Sequence, residues 1–362
     1  MKRTPVVLAL FLLLLGPVVR QPLAWASPAG APQAHKHGAK DRPGKQDKDT
    51  DAPVSAHKLK HPVLWQEPGD VHSKDLFDGA GGKNGHPRAP FVFESEDPSG
   101  TNPKFDVRDA AGEKWRVKLG EEARPEVVAS RLLWAMGYFV NDDFLEPEAS
   151  VQGLRLTRGE SHVQPGGRVE NARFAHKPAH EKKIGTWRWK SNPFTGRREF
   201  DGLRVMMAVM NNWDLKDVNN AVYEDKKSGR QVFLVNDVGA TFGANGLGWS
   251  RARSKGNVES FKESKFIQRL DTRTVSFYTP RRPTSLLIGS LGLTAMEFRR
   301  RAALDWIGND IPRSHARWMG QMLAQLSHRQ LVDAFRAGHF PPDEIDAYVD
   351  VVEARIAELK HL

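Results

Sequence analysis

Asp214-Leu215-Lys216-Asp217-Val218-Asn219-Asn220, followed after a short hairpin by Asn236-Asp237-Val238-Gly239, is the stretch that decides how this chain reads. Between the two runs, Asn219 to Tyr223 and Gln231-Val232-Phe233-Leu234-Val235 carry strand-forming residues on either side of an Asp225-Lys226-Lys227-Ser228-Gly229 turn, which predicts a β-hairpin. Asp214 and Asn219 stand five apart on one loop, a spacing that places a base-like carboxylate and an amide oxygen close together. Asp237, one strand later, can bring a second hard oxygen to the same point. Hard oxygens of this kind suit Mg2+ or Mn2+.

Before this stretch, Asp201 to Asn211 is a Leu/Val/Met-rich run that reads as a buried helix. Further upstream, Phe91-Val92-Phe93, Phe105-Asp106-Val107 and Trp115-Arg116-Val117-Lys118-Leu119 read as strands. Turn residues at Asp97-Pro98-Ser99-Gly100 and Ala110-Ala111-Gly112-Glu113 separate them, so the expectation is an antiparallel meander. Pro125-Glu126 then opens a helix with Val127, Val128, Leu132, Leu133 and Met136 at helical spacing, closed by Gly137. Residues 151 to 200 are basic and irregular, with no assignable period.

From about Leu286 the pattern is helical: one helix starts at Ser327 and ends near Gly338, and another starts at Pro341-Pro342 with Ile345, Tyr348, Val352, Ile356 and Leu359 on one face. The expected fold class is therefore α+β and bilobal, with a small antiparallel-sheet N-lobe over residues 63–145 and a mostly helical C-lobe over 146–362.

Phosphoryl transfer needs a cation on the phosphates, an acid that holds this cation, a carboxylate near the attacking hydroxyl and oxygen ligands for a metal. Lys118, Glu126, Asp214 and the pair Asn219 and Asp237 supply those types in that order. On these residues the chain resembles the protein-kinase-like superfamily. Asp214 to Asn219 is similar to the kinase catalytic loop, Asn236 to Gly239 to the Asp-Phe-Gly element, and Trp115-Arg116-Val117-Lys118 to the strand bearing the kinase lysine.

The closer likeness is to the divergent branch that includes HipA-type, phosphatidylinositol-type and secretory-pathway kinases. The resemblance implies that Lys118 pairs with nucleotide phosphates, that Glu126 orients Lys118, with Glu121 or Glu122 as alternatives, and that Asp214 is the catalytic carboxylate, with Asp217 as its alternative. It implies that Asn219 and Asp237 hold the metal, and that Ser99 and Gly100 lie on the phosphate-covering turn. ATP with Mg2+ or Mn2+, and a hydroxyl-bearing acceptor, would be the reactants. Asn212 and Trp213 stand where ordinary protein kinases have His and Arg, so phosphorylation-controlled activation is not expected.

Composition frames this reading. The chain has 362 residues, 54 Lys and Arg against 44 Asp and Glu, and a net charge of +10, which favours anionic partners. It has no Cys, which excludes thiol nucleophiles, disulfides and Cys-held metals. Lys2 and Arg3, the apolar run Val6 to Leu15 and Ala24-Trp25-Ala26 form the layout of a secretory leader, expected over residues 1–26. That run, about ten residues before Gly16-Pro17, is short of the ~20 that span a membrane, so an exported protein without a stable transmembrane segment is expected. Residues 27–62 lack apolar periodicity and read as a disordered linker, in which His35, His37, His57 and His61 carry no metal-site spacing.

Trp187-Arg188-Trp189-Lys190 with Arg197 and Arg198 interleaves aromatics and cations, but reads as a solvated insertion rather than a nucleic-acid surface. Gly243 to Gly248 with Arg251, Arg253 and Lys255 could form a basic substrate-recognition segment, and Phe298-Arg299-Arg300-Arg301 reads as an exposed helix face. Gly289-Ser290-Leu291-Gly292 does not fit a nucleophile elbow. The reading from another class is a non-catalytic secreted binding module, a pseudokinase or unrelated α+β domain that holds an anionic ligand on its basic surface.

Overall fold

The computed structural model describes residues 52–100, 102–177, 181–244, 252–279 and 305–362. The expected leader, the linker up to residue 51, and residues 245–251, 289–292 and 298–301 lie outside the described residues. Among the described residues the chain is a mixed α+β protein with six α-helices and three sheets, and no helix is long and apolar enough to cross a membrane.

The first short strand, β1 (Pro62–Val63), lies parallel to a much later strand at the position of Gln231 and Val232. Just before it, the Val54 N–H donates to the Thr186 carbonyl at 2.9 Å and the Lys60 N–H to Gln231 Oε1 at 2.8 Å. The end of the stretch expected to be linker is thus held by the fold.

The meander forms as β2 (Phe91–Asp97), β3 (Lys104–Arg108) and β4 (Lys114–Lys118). Helix α1 (Ala123–Ala135) follows, then β5 (Asp143–Gln152), β6 (Val163–Gln164) and β7 (Arg168–His176). The sheet order is β4-β3-β2-β5-β7-β6, and β7 also pairs with β4, so five strands close into a ring. Phe105, Val107, Trp115, Val117, Val169 and Phe174 fill its interior. Burying each such side chain contributes about 1.5–3 kcal/mol.

This differs from the expected small antiparallel sheet in two ways. The crossing of α1 brings the chain back beside β2 rather than β4, and β5 runs parallel to β2, with Phe91 opposite Val151. The strands also continue past residue 145, to His176.

The rest is not purely helical either. Strands β8 (Glu181–Gly185), β9 (Ala221–Asp225) and β10 (Gln231–Leu234) join β1 in the order β1-β10-β9-β8. The third sheet holds β11 (Ile267–Leu270), β12 (Thr274–Phe277) and β13 (Ile311–Pro312). The helices are α2 (Arg198–Met210), α3 (Val258–Lys262), α4 (Arg313–Leu323), α5 (His328–Ala337) and α6 (Pro342–Lys360). Ser327 and Gln330 form the capping box that starts α5, and Pro342 begins α6 where its missing N–H costs nothing.

Helix α2 is buried along nearly its whole length, as its Leu203-to-Met210 run requires, and α6 fixes its C-terminal end. The Arg355 guanidinium, 2 % exposed, donates to the carbonyls of Ala208 at 3.2 Å and Val209 at 2.7 Å. These carbonyls lie at the C-terminal end of α2, where a cation suits the helix dipole.

Trp187 and Trp189, expected on a solvated insertion, are instead core residues at 3 % and 1 % exposure. Trp187 Nε1 donates to the Leu234 carbonyl at 2.9 Å, beneath the β9–β10 hairpin.

Candidate functional site

β4 alternates Trp115 and Val117 into the ring with Lys114, Arg116 and Lys118 on its outer face. Lys118 is nonetheless only 3 % exposed, because the start of α1 covers it. Glu122, the residue that enters α1, and Glu126 in its first turn lie one helical turn apart and face the same ammonium. Lys118 Nζ is 2.7 Å from Glu122 Oε2, 2.9 Å from Glu126 Oε2 and 2.6 Å from Asp237 Oδ1. Of the acids considered for orienting the lysine, two act together, while Glu121 is exposed to solvent.

Asp237 reaches Lys118 from the far end of the hairpin, with φ +55° in the left-handed region that Asp tolerates better than most residues. Gly239 follows because space demands it. A Cβ at this position would stand 2.6 Å from the Glu122 Cβ and 2.8 Å from the Glu122 carbonyl oxygen.

Three cations form a row across neighbouring strands: Lys104 on β3 is opposite Lys118 on β4, which is opposite Arg173 on β7. Like charges directly opposite repel unless an anion separates them. Glu126 supplies that anion, 3.5 Å from Arg173 Nε, and Arg173 Nη1 also meets Asp143 Oδ1 at 2.8 Å. Asp143 in turn accepts from the Ser130 hydroxyl at 2.6 Å. Glu122 is shared further, with Lys255 Nζ at 2.9 Å and with the Asn102 side-chain amide.

The electrostatics follow from this crowding. Burial alone would lower the pKa of Lys118, but Glu126, Asp237 and Glu122 hold it well above the ordinary lysine range. Burial would raise Asp237, yet the Lys118 charge and hydrogen bond, with Lys104 and Arg173 beyond, bring it to about 2. Glu126 is pushed up by burial, the effect that Arg173 and Lys118 oppose.

The second part of the site is the loop after α2. Asn211 ends the helix with φ +60°, and its side-chain amide donates to the Gly243 carbonyl at 2.6 Å. Asp214, its side chain 32 % exposed, pairs with Lys216 Nζ at 2.7 Å. The Asn219 side-chain amide donates to the Asp214 carbonyl at 3.3 Å, which ties the two ends of the motif together. Asp217 turns away from this pair, and its Oδ1 accepts from the Trp189 N–H at 3.0 Å.

Ala221 and Leu234 are partners across the hairpin, so the loop that ends in Asn219 and the segment that leads to Asp237 meet the same end of the ribbon. That segment is held from behind: the Val235 N–H donates to the Phe139 carbonyl at 2.9 Å and the Asn141 side-chain amide to Asn236 Oδ1 at 2.7 Å.

Lys118, Glu126 and Asp237 thus share one contact cluster, with Asn219 and Asp214 on the loop that enters its hairpin. Ser99 and Gly100 lie in the β2–β3 turn. The Ser99 N–H and hydroxyl donate to Asp97 Oδ1 at 3.0 and 2.6 Å, and Arg158 Nη1 donates to the Gly100 carbonyl at 2.7 Å, so the Ser99 hydroxyl is engaged within its own turn.

The sequence reading missed Arg173, Lys104, Lys255 and Asn102 as neighbours of the site. A signal existed for Arg173, which stands between the inward-facing Ala172 and Phe174. Lys255 lay in the segment read as basic substrate recognition, where it pairs with Glu122 while Arg253 Nη2 pairs with Glu263 Oε2 at 3.0 Å.

Among the described residues no group of three or more His, Cys, Asp or Glu could hold a metal ion. A magnesium ion needs fewer protein ligands, commonly one or two carboxylates with phosphate oxygens and water completing the shell. Asp237, whose side chain is 39 % exposed and whose Lys118 contact uses Oδ1, and Asn219, whose amide N–H is turned to Asp214, each keep a side-chain oxygen outside those contacts. Two cavities, of about 490 and 400 Å3, lie elsewhere, and neither is lined by Lys118 or Asp237.

No protein-family model matches this chain, and no curated protein does. Among solved structures, the chain is similar to the Helicobacter pylori proinflammatory kinase CtkA, with a TM-score of 0.33 and 11% identity over 73% of this chain and 96% of that one.

Proposed function

We propose that this chain is an exported, kinase-like phosphotransferase that moves the γ-phosphoryl group of ATP to a hydroxyl acceptor with Mg2+ or Mn2+. The strand ring with α1 would form the small lobe, and the helical remainder the large one. The observation that carries the reading is the meeting of Lys118 with a helix carboxylate, Glu126, and with Asp237, at the end of the hairpin that Asn219 enters. In protein kinases a strand lysine paired with a helix glutamate, and an aspartate that holds Mg2+, must both be in place for transfer.

The residues divide the chemistry. Glu126 and Glu122 keep Lys118 charged and beside Asp237. Asp237 and Asn219 would bind the divalent cation, which supplies neutralisation of phosphate charge when bound. Asp214, partly exposed and close to Asn219, would orient the acceptor hydroxyl and take its proton as the new P–O bond forms and the β–γ bridging bond breaks, releasing ADP. Asp217 is the weaker candidate for that role, since its carboxylate supports the Trp189 backbone.

Thermal unfolding with and without nucleotide tests this. Wild type should gain stability with ATP only when Mg2+ is present, and Asp237→Ala should lose that gain. Asp214→Ala should keep the gain but lose release of the labelled γ-phosphate. No gain in wild type would favour the non-catalytic secreted module.

A further inference from the structure

We infer that Lys104, rather than Lys118, is the side chain that meets the terminal phosphates of a bound nucleoside di- or triphosphate, beneath the Ser99–Gly100 turn. This rests on the phosphotransferase reading above and assigns a different cation within it.

The argument begins with donor counting. An ammonium has three N–H groups and no acceptor. Lys118 donates to Glu126 at 2.9 Å and Asp237 at 2.6 Å, and Glu122 Oε2 stands 2.7 Å from the same ammonium. At 3 % exposure the ammonium is enclosed by three carboxylates, so a phosphate oxygen reaches it only by displacing one of them.

Lys104 is its direct partner across β3 and β4 and has the opposite circumstances. It is half-buried, and Asp97 and Asp237 act on it only through space, with no hydrogen bond from either. Both of those carboxylates are committed elsewhere: Asp97 to Ser99 and Arg116, Asp237 to Lys118. Among the described residues, Lys104 has no ion pair of its own. Burial accordingly lowers its pKa, as expected of a cation short of solvation and counter-charge.

Position completes the case. A Cβ at Gly100 would stand 3.3 Å from Lys104 Nζ and 3.7 Å from its Cε, so the ammonium lies directly under the turn. Gly100 holds φ +76°, and the turn's hydroxyl and the Ser99 N–H are occupied by Asp97. A glycine-poor turn offers few free backbone donors to phosphate, and a side-chain ammonium beneath it can take their place. The ligand class is one with clustered phosphate charge; a nucleoside alone would not need this cation.

Calorimetric titration of the full chain with ATP, ADP and adenosine in Mg2+ tests the assignment, using wild type, Lys104→Met and Lys104→Arg. Lys104→Met should weaken ATP and ADP by about tenfold or more and leave adenosine unchanged. Lys104→Arg, which keeps the charge, should recover most of the loss. Equal ATP affinity in wild type and Lys104→Met would overturn the inference while leaving the phosphotransferase reading intact. A loss of adenosine together with ATP in both variants would overturn it too, by revealing a role in the fold. Failure of wild type to bind ATP at all would remove both.

Discussion

The cage around Lys118 and the loop around Asp214 are built in opposite ways. In the cage, Lys118 meets a carboxylate 119 residues away, together with two from the helix that follows its strand. In the loop, Asp214 is held by Lys216 and Asn219, two and five residues along the chain. One cluster exists only when strand ring, helix and hairpin have assembled; the other largely organises itself. Changes to the first should therefore appear as stability, and changes to the second as turnover.

Lys118→Met should give the largest effect. It leaves Glu126, 1 % exposed, beside Glu122 and Asp237 without their shared cation, and about 3–5 kcal/mol of unfolding free energy should be lost in a urea titration. A loss below about 1 kcal/mol would mean that Arg173 alone sustains the cluster.

On the loop, Asp214→Asn should lower γ-phosphate transfer by about 10²–10⁴-fold, with unfolding free energy within about 1 kcal/mol of wild type. Asp217→Ala should do the reverse, costing about 1 kcal/mol of stability through its lost Trp189 contact and sparing turnover. If the two exchange behaviour, Asp217 is the catalytic carboxylate.

A further effect is expected in acid. Asp237 has its pKa depressed to about 2 from an ordinary 3.8, so it contributes stability that is complete above the ordinary value and is lost as pH falls through about 2. Replacing it with Asn should flatten the acid limb of the stability profile in that window and leave the profile near neutrality parallel to wild type.

What could be read in advance followed local physics. The meander, α1, the hairpin and the two C-terminal helices have short-range signals: alternating apolar residues, Ser327 with Gln330, Pro342, and Gly at the turns. The residue types around Lys118 were legible for the same reason, as Glu122 and Glu126 are close to it in sequence. β5 and β7 were not legible because both break the period of two. Pro147 interrupts one, Asn171 at φ +48° interrupts the other, and pairing jumps from Glu146 with Ala172 to Glu148 with Glu170. The pairing of Lys104, Lys118 and Arg173 depends on those strands, so no local pattern announces it.

The tryptophan run was misread because charged neighbours masked a buried face. Trp187 and Trp189 alternate inward while the intervening Arg188 is exposed.

The closed ring also has a consequence for fidelity. An open sheet can slip one residue at an edge and exchange its two faces. β4 is clamped between β3 and β7, so a slip by one would turn Lys118 into the apolar interior, push Val117 out, and break both seams at once. The two seams of β4, and not any single ion pair, therefore keep Lys104, Lys118 and Arg173 on the same side of the wall.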